Sequence, residues 1–269
     1  MTSTTTTGST TTTSTVATLT YTWHYFFSLL RRPDTVMFCL GLPTALFLMF
    51  GTATQNSHSV LEAGTVSAFV MTGMGLYGGA IAMTSIAGAA AHHRQQGWNR
   101  QLHLAGLTTT QSVIGTIIAM FAFAALPIIV LFTVAGTTGT HFDHPWQWAT
   151  TGILSWCSTL PFTLYGLAAA LWLRSESATG IAAGSLVILA FFGGVFMPLS
   201  GTLFDLSRFT PFYGPVTIAH WPHMTGHYYA ADGHLVTTES FAFALTATLA
   251  WTIMFATVCV IGARQSTQR

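Results

Sequence analysis

Residues 63–91 read AGTVSAFVMTGMGLYGGAIAMTSIAGAAA. No Lys, Arg, Asp, Glu or His interrupts the run. A helix needs about 20 apolar residues to cross the hydrocarbon core of a bilayer, so this stretch is long enough to span with tilt to spare. It carries Gly73, Gly75, Gly78, Gly79 and Gly88. Gly75 and Gly79 form a small-xxx-small spacing, which lets a neighbouring helix approach closely.

Five more apolar runs share the chain: residues 35–51, 111–135, 148–173, 179–200 and 240–262. None contains an ionisable side chain of the Lys, Arg, Asp, Glu or His type. The first is slightly short for a crossing. The expected fold is all-α integral membrane, with six transmembrane helices in a single domain over residues 33–263. Composition agrees: 51% of residues are hydrophobic and 6% charged, against about 25% charged in an ordinary soluble domain.

Arginine placement sets the expected orientation. With the N-terminus inside, Arg31, Arg32, Arg94, Arg100, Arg174, Arg264 and Arg269 are cytoplasmic, and only Arg208 is outside. Glu62, Asp143, Asp205, Asp232 and Glu239 then lie outside, with Asp34 and Glu176 inside. Both termini are expected in the cytoplasm of a multi-pass cell-membrane protein, residues 264–269 forming the cytoplasmic tail. Trp146 and Trp148 at one end of the fourth run, and Trp172 at the other, suit interfacial belts.

Residues 1–15 are nearly all Thr and Ser; without the apolar and basic regions of a signal peptide, they read as a disordered tail. Residues 16–32 read as an interfacial amphipathic helix, with Val16, Leu19, Trp23, Phe26, Phe27 and Leu30 at helical spacing. Between the fifth and sixth spans, residues 203–219 are too apolar for a free loop. They are expected to dip back toward the membrane as short re-entrant helices.

Several chemistries are excluded. All eight basic residues are arginine, and a Walker A loop needs a lysine on the phosphates. No basic run exists to bind nucleic acid. Ion-coupled carriers usually hold an ionisable group in the membrane, and these runs hold none. Ser200 has no histidine in a span to activate it. Cys39, Cys157 and Cys259 lie in apolar runs without disulfide or zinc spacing and read as small buried hydrophobes. If the protein moves something, the energy comes from another chain.

Residues 91–107, AHHRQQGWNRQLHLAGL, join the second and third runs. Trp98, Leu102 and Ala105 would share one face of a short helix. Two readings stand: a docking element for a partner, or a helix lying on lipid headgroups.

The arrangement resembles the membrane subunit of a type-2 ABC exporter. That family has an interfacial N-terminal helix, six spans, a coupling helix between spans two and three, and a re-entrant region between spans five and six. Its coupling loop runs Glu-Arg-x-x-Gly, then a basic residue, a Leu and a Thr/Ser-Pro. Arg94, Gly97, Arg100 and Leu102 match; His93 stands in the acidic position and Gly106 in that of the proline. Residues 193–199, GGVFMPL, are similar to the family's G-V-F-x-P segment. Arg31-Arg32-Pro33-Asp34 and Leu42-Pro43-Thr44 add to the likeness. The resemblance implies an ATPase-coupling helix built on Arg94, Gly97, Trp98, Arg100, Leu102 and Ala105. It implies an outer re-entrant region containing Gly194, Phe196, Pro198, Phe209, Pro211 and Pro215. It also implies two copies of a separate ABC ATPase carrying ATP and Mg, and a second permease subunit, identical or paralogous. This chain would hold no cofactor.

Seven of the eleven histidines fall outside in this topology: His58, His141, His144, His220, His223, His227 and His234. His220, His223 and His227 have a spacing that could chelate on a helix, but Pro222 and Gly226 argue against a regular helix there. They read as polar loop residues at a wet interface, with metal binding and pH sensing near pH about 6.5 as the alternatives. The expected function is export of a hydrophobic or amphiphilic compound, such as a drug-like molecule, a lipid or a peptide. A sensor or resistance protein that binds a ligand at its outer aromatic, His-rich region and moves nothing is the alternative.

Overall fold

The computed structural model describes residues 10–53, 59–173, 177–196, 199–229, 235–237 and 240–267. In chain order its helices are α1 (Thr10–Leu30), α2 (Pro33–Val36), α3 (Leu42–Phe47), α4 (Val66–Gln95), α5 (Trp98–Leu104), α6 (Thr109–Thr137), α7 (Pro145–Cys157), α8 (Pro161–Leu173), α9 (Ala178–Phe192), α10 (Gly201–Ser207), α11 (Tyr213–Met224) and α12 (Phe241–Thr267). Wider π-type turns at Met37–Gly41 and Leu48–Thr52 join α2 and α3 into one helix, Pro33–Thr52. Two short hairpins, Val60–Leu61 with Gly64–Thr65 and His227–Tyr229 with Leu235–Thr237, complete the fold.

The glycine-rich helix α4 is the axis of the bundle. Its best membrane-length window is wholly buried inside the protein, and its glycines meet different neighbours on different sides. A Cβ on Gly79 would stand 2.6 Å from the Thr159 methyl, and one on Gly78 2.7 Å from Pro127 and 2.9 Å from the Cys39 carbonyl. Gly75 lies against Ile128 and Phe132 on α6. So the Gly75/Gly79 face is a real contact face toward α6, and the other glycines extend close packing around the helix.

Among the described residues, five helices are long and apolar enough to cross a membrane: Pro33–Thr52, Val66–Arg94, Thr109–Thr137, Pro145–Leu173 and Phe241–Arg264. The fourth is broken. Residues 158–160 form a turn between α7 and α8, because Pro161 cannot donate a backbone hydrogen bond into the preceding turn. The run expected as a helix over residues 179–200 ends at Phe192 instead, leaving a 15-residue α9. Gly194 has φ 71°, the left-handed conformation that stops a helix. The chain then packs onto α4, with the Val195 carbonyl 2.5 Å from where a Gly73 Cβ would be. The helical register there gives way to a glycine-permitted backbone contact.

Three further expectations change. Helix α1 begins at Thr10, so residues 10–15 are helical rather than disordered tail. Phe26 turns inward, edge-on to Phe123 at 6.3 Å, with Leu29 buried beside it. The outward stripe is Val16, Leu19, Trp23, Phe27 and Leu30. Helix α1 therefore has two apolar faces, one against α6 and one free. Gly115 admits the first, since its Cβ would lie 2.8 Å from Tyr21. Cys157 is exposed, unlike Cys39 and Cys259, which are buried.

The connections sort to opposite ends. At one end, the Thr65 N–H donates to the His141 carbonyl at 3.1 Å, and the Thr225 hydroxyl donates to Glu62 at 2.7 Å. At the other lie Arg32, Arg94, Leu102 and Thr116. Thr84 and Gly88, on the half of α4 that leads there, meet Gly166 and Thr179.

Candidate functional site

The turn between α4 and α6 is defined by backbone conformation. Gly97 (φ 88°) ends α4 and begins α5; Gly106 (φ 82°) ends α5. Among the described residues, neither has an atom within 4 Å of where a Cβ would go, so the left-handed conformation is what calls for glycine at both. The Gly106 N–H donates to His103 at 3.0 Å, and the Leu107 N–H reaches back to the Leu102 carbonyl at 3.0 Å, which closes the helix end. Thr108 and Gln111 then form a reciprocal capping box at the start of α6, 2.8 Å and 3.3 Å. Buried Leu107 anchors the turn. Gly106 thus does by a left-handed turn what a proline would do by stopping the helix.

The six residues expected to act together separate into two groups. Leu102 and Arg94 face inward, lining a cleft of about 400 Å3 between α1, the last turn of α4, α5 and α6. Gly97, Arg100 and Ala105 are exposed. The Trp98 side chain lies outside those described. Leu104, which helical spacing did not single out, is 84% exposed and is the most exposed apolar side chain among the described residues of α5. A Leu on a short polar helix, ahead of a glycine turn, was the available signal. Among the described side chains, the outward surface of α5 and its C-cap includes Arg100, Gln101, His103, Leu104 and Ala105.

Inside the cleft, Tyr25, Ser28, Arg32 and His93 join Arg94 and Leu102. Tyr21 holds α1 in place through a 3.1 Å hydroxyl contact with Thr116. Burial pushes the Tyr25 phenol up to about 12, with the neighbouring Tyr21 adding to it; the charges of Arg32 and Arg94 pull the other way. Arg32 stands 3.8 Å from Asp34, with both side chains about half exposed or more.

At the opposite end, the expected outer region forms two short helices. Pro211 and Pro215 are buried, and Gly194 and Phe196 pack inward, Phe196 edge-on to Tyr77 at 4.7 Å. Phe209 is 77% exposed. Pro198, His58 and His234 lie outside the described residues.

Two of the histidines there, His220 and His223, are not wet loop residues. Helix α11 continues through Pro222, and His220 and His223 are buried in it. Gln147 donates to the Pro222 carbonyl at 2.9 Å, and α11 is clamped between α7, α4 and α12. Gly214 permits the α12 contact: a Cβ there would fall 2.3 Å from the Thr248 hydroxyl. His220 Nδ1 lies 2.8 Å from the Val216 carbonyl and Nε2 3.0 Å from that of Phe69. Carbonyl oxygens only accept, and a neutral imidazole donates once; both bonds form together only on the protonated ring. Burial pushes the other way and lowers the His220 value overall. His223, 1% exposed, finds no hydrogen-bond partner for either ring nitrogen among the described residues. Burial first, and then His220, hold it well below the ordinary histidine value. His227 pairs with Glu62 at 2.8 Å instead of joining them. Among the described residues, no three His, Cys, Asp or Glu side chains converge as a metal site.

No protein-family profile matches the chain. Over 170 residues, 63% of this chain and 69% of the other, it is 25% identical to a Bacillus subtilis (strain 168) protein named "Putative transport permease YvfS".

Proposed function

We propose that the chain is the membrane subunit of an ABC-type exporter that moves a hydrophobic or amphiphilic compound outward. The observation that carries this reading is α5. A seven-residue helix is held at one end of the bundle by two left-handed glycines, with Leu104 exposed between the buried helix α4 and α6. Such a helix is suited to pass force from a partner into the core of the bundle. The weak likeness to a protein named as a transport permease supports the same class.

On this reading α9 is the fifth of six crossings, although its 15 residues reach only about 22 Å against a core of about 30 Å. The following turn onto α4 makes up part of the depth. Helices α10 and α11 dip into the outer leaflet without crossing, α1 lies at the inner interface, and both termini are cytoplasmic. Two ATPase subunits dock on α5 of this chain and on that of a second six-span subunit. ATP and Mg are held there, not here. The path between the membrane subunits carries no fixed charge from the spans, which suits an apolar cargo.

Co-purification from native membranes followed by ATP-dependent transport in reconstituted vesicles tests this. A nucleotide-binding subunit in the complex is the expected result. A stable, active assembly without one would overturn it and favour a non-transporting sensor, whose function should survive replacement of Gly97 and Leu102 by Asp.

A further inference from the structure

We propose that the cleft beside α5 binds the phosphate-bearing headgroup of an anionic amphiphile from the membrane leaflet at that end. This goes beyond the transport reading and does not depend on it.

The cleft has the charge for such a ligand. Arg32, just beyond α1, and Arg94, in α4's last turn, both line it, with His24 and His93 alongside and no carboxylate among the described lining residues. Both guanidinium charges lower the Tyr25 value, so both lie within electrostatic reach of that phenol. Arginine's planar fork matches phosphate oxygens two at a time. Tyr25 keeps its proton at ordinary pH and adds an O–H donor. Asp34 near Arg32 is a loose, solvent-exposed competitor at 3.8 Å, of the kind that contributes little.

The cleft also has the shape for an amphiphile rather than a free anion. Leu29, Ala90 and Leu102 form its apolar part, and its volume of about 400 Å3 is far larger than a phosphate needs. A headgroup seated beside the arginines would set the start of its apolar part against Leu29, Ala90 and Leu102 within the same cleft. The second copy of the chemistry, inorganic phosphate, would use the arginines alone.

Native mass spectrometry of the full chain released from nanodiscs of mixed phosphatidylglycerol and phosphatidylcholine tests this. The wild-type protein should retain phosphatidylglycerol in preference to phosphatidylcholine. Arg32→Gln and Arg94→Gln should each lower that preference by about tenfold, the scale of one charge-assisted hydrogen bond. Ala90→Trp, which fills the cleft and leaves every charge in place, should lower it too. Inorganic phosphate added to phosphatidylcholine nanodiscs should bind weakly and fail to displace phosphatidylglycerol. Equal retention by the wild type, the double arginine variant and Ala90→Trp would overturn the proposal. So would full displacement by inorganic phosphate, which would make the cleft a free-anion site. Both arginines reach the surface, and an unchanged size-exclusion profile confirms that the variants are folded.

Discussion

The two ends of the bundle are built on opposite principles. At the α5 end, side chains are largely exposed and the structure is held by backbone conformation: Gly97, Gly106 and the Thr108 cap. At the α11 end, histidines and prolines are buried and the structure is held by packing against α4, α7 and α12. A surface that must meet a partner can be open if its backbone is fixed. A polar segment inside an apolar bundle needs close neighbours and carbonyl acceptors to be tolerated at all.

The same kind of substitution should therefore act differently at the two ends. The largest expected effect is at Leu104. Leu104→Asp should remove most ATPase co-purification and transport, on the scale of an interface hot spot of about 2 kcal/mol or more. It should leave the unfolding temperature within error, because the side chain is 84% exposed. Next is Gly214→Ala. Its Cβ would meet the Ala244 carbonyl at 2.5 Å as well as the Thr248 hydroxyl, so thermal unfolding should show a loss of about 1–3 kcal/mol from overpacking.

His223 sharpens the contrast through pH. Its folded value lies well below the ordinary one, so the unfolded chain binds the extra proton. The stability it contributes is fully present above about pH 6.5 and is lost as pH falls from there toward the depressed folded value. His223→Phe should flatten that acid limb in a pH series of unfolding curves. The smallest effect is Gly106→Ala, about 1 kcal/mol for a side chain forced into the left-handed region. Open space around it rules out a packing cost. A loss at Gly106 larger than at Gly214 would reverse the comparison.

Much of this was legible in the sequence, for physical reasons. Residues 63–91 have no charge and many glycines, so a membrane-length helix and close approach by a neighbour followed from composition, while its burial at the axis of the bundle did not. Gly97 and Gly106 marked the turns around α5. What could not be read was rotation and register. Leu102 turns inward and Leu104 outward because Gly97's left-handed backbone sets where the short helix starts. The run over residues 179–200 looked continuous because GGVF is as apolar as the helix before it; the left-handed Gly194 and the Val195 contact with Gly73 show why the helix stops. Pro222 suggested a broken helix, yet burial against α4 and α7 carries α11 through it. His220 and His223 counted as wet because a sequence shows polarity and not depth.

The central claim is that α5 receives a separate ATPase through the surface around Leu104. The most direct measurement is site-specific crosslinking: a photoreactive side chain at Leu104, activated in native membranes, with the adducts identified by mass spectrometry. The account predicts an adduct to a nucleotide-binding ATPase subunit, reduced when the same group is placed at Phe209 on the opposite end. Adducts at Leu104 to lipid alone, with the transport activity intact, would contradict it.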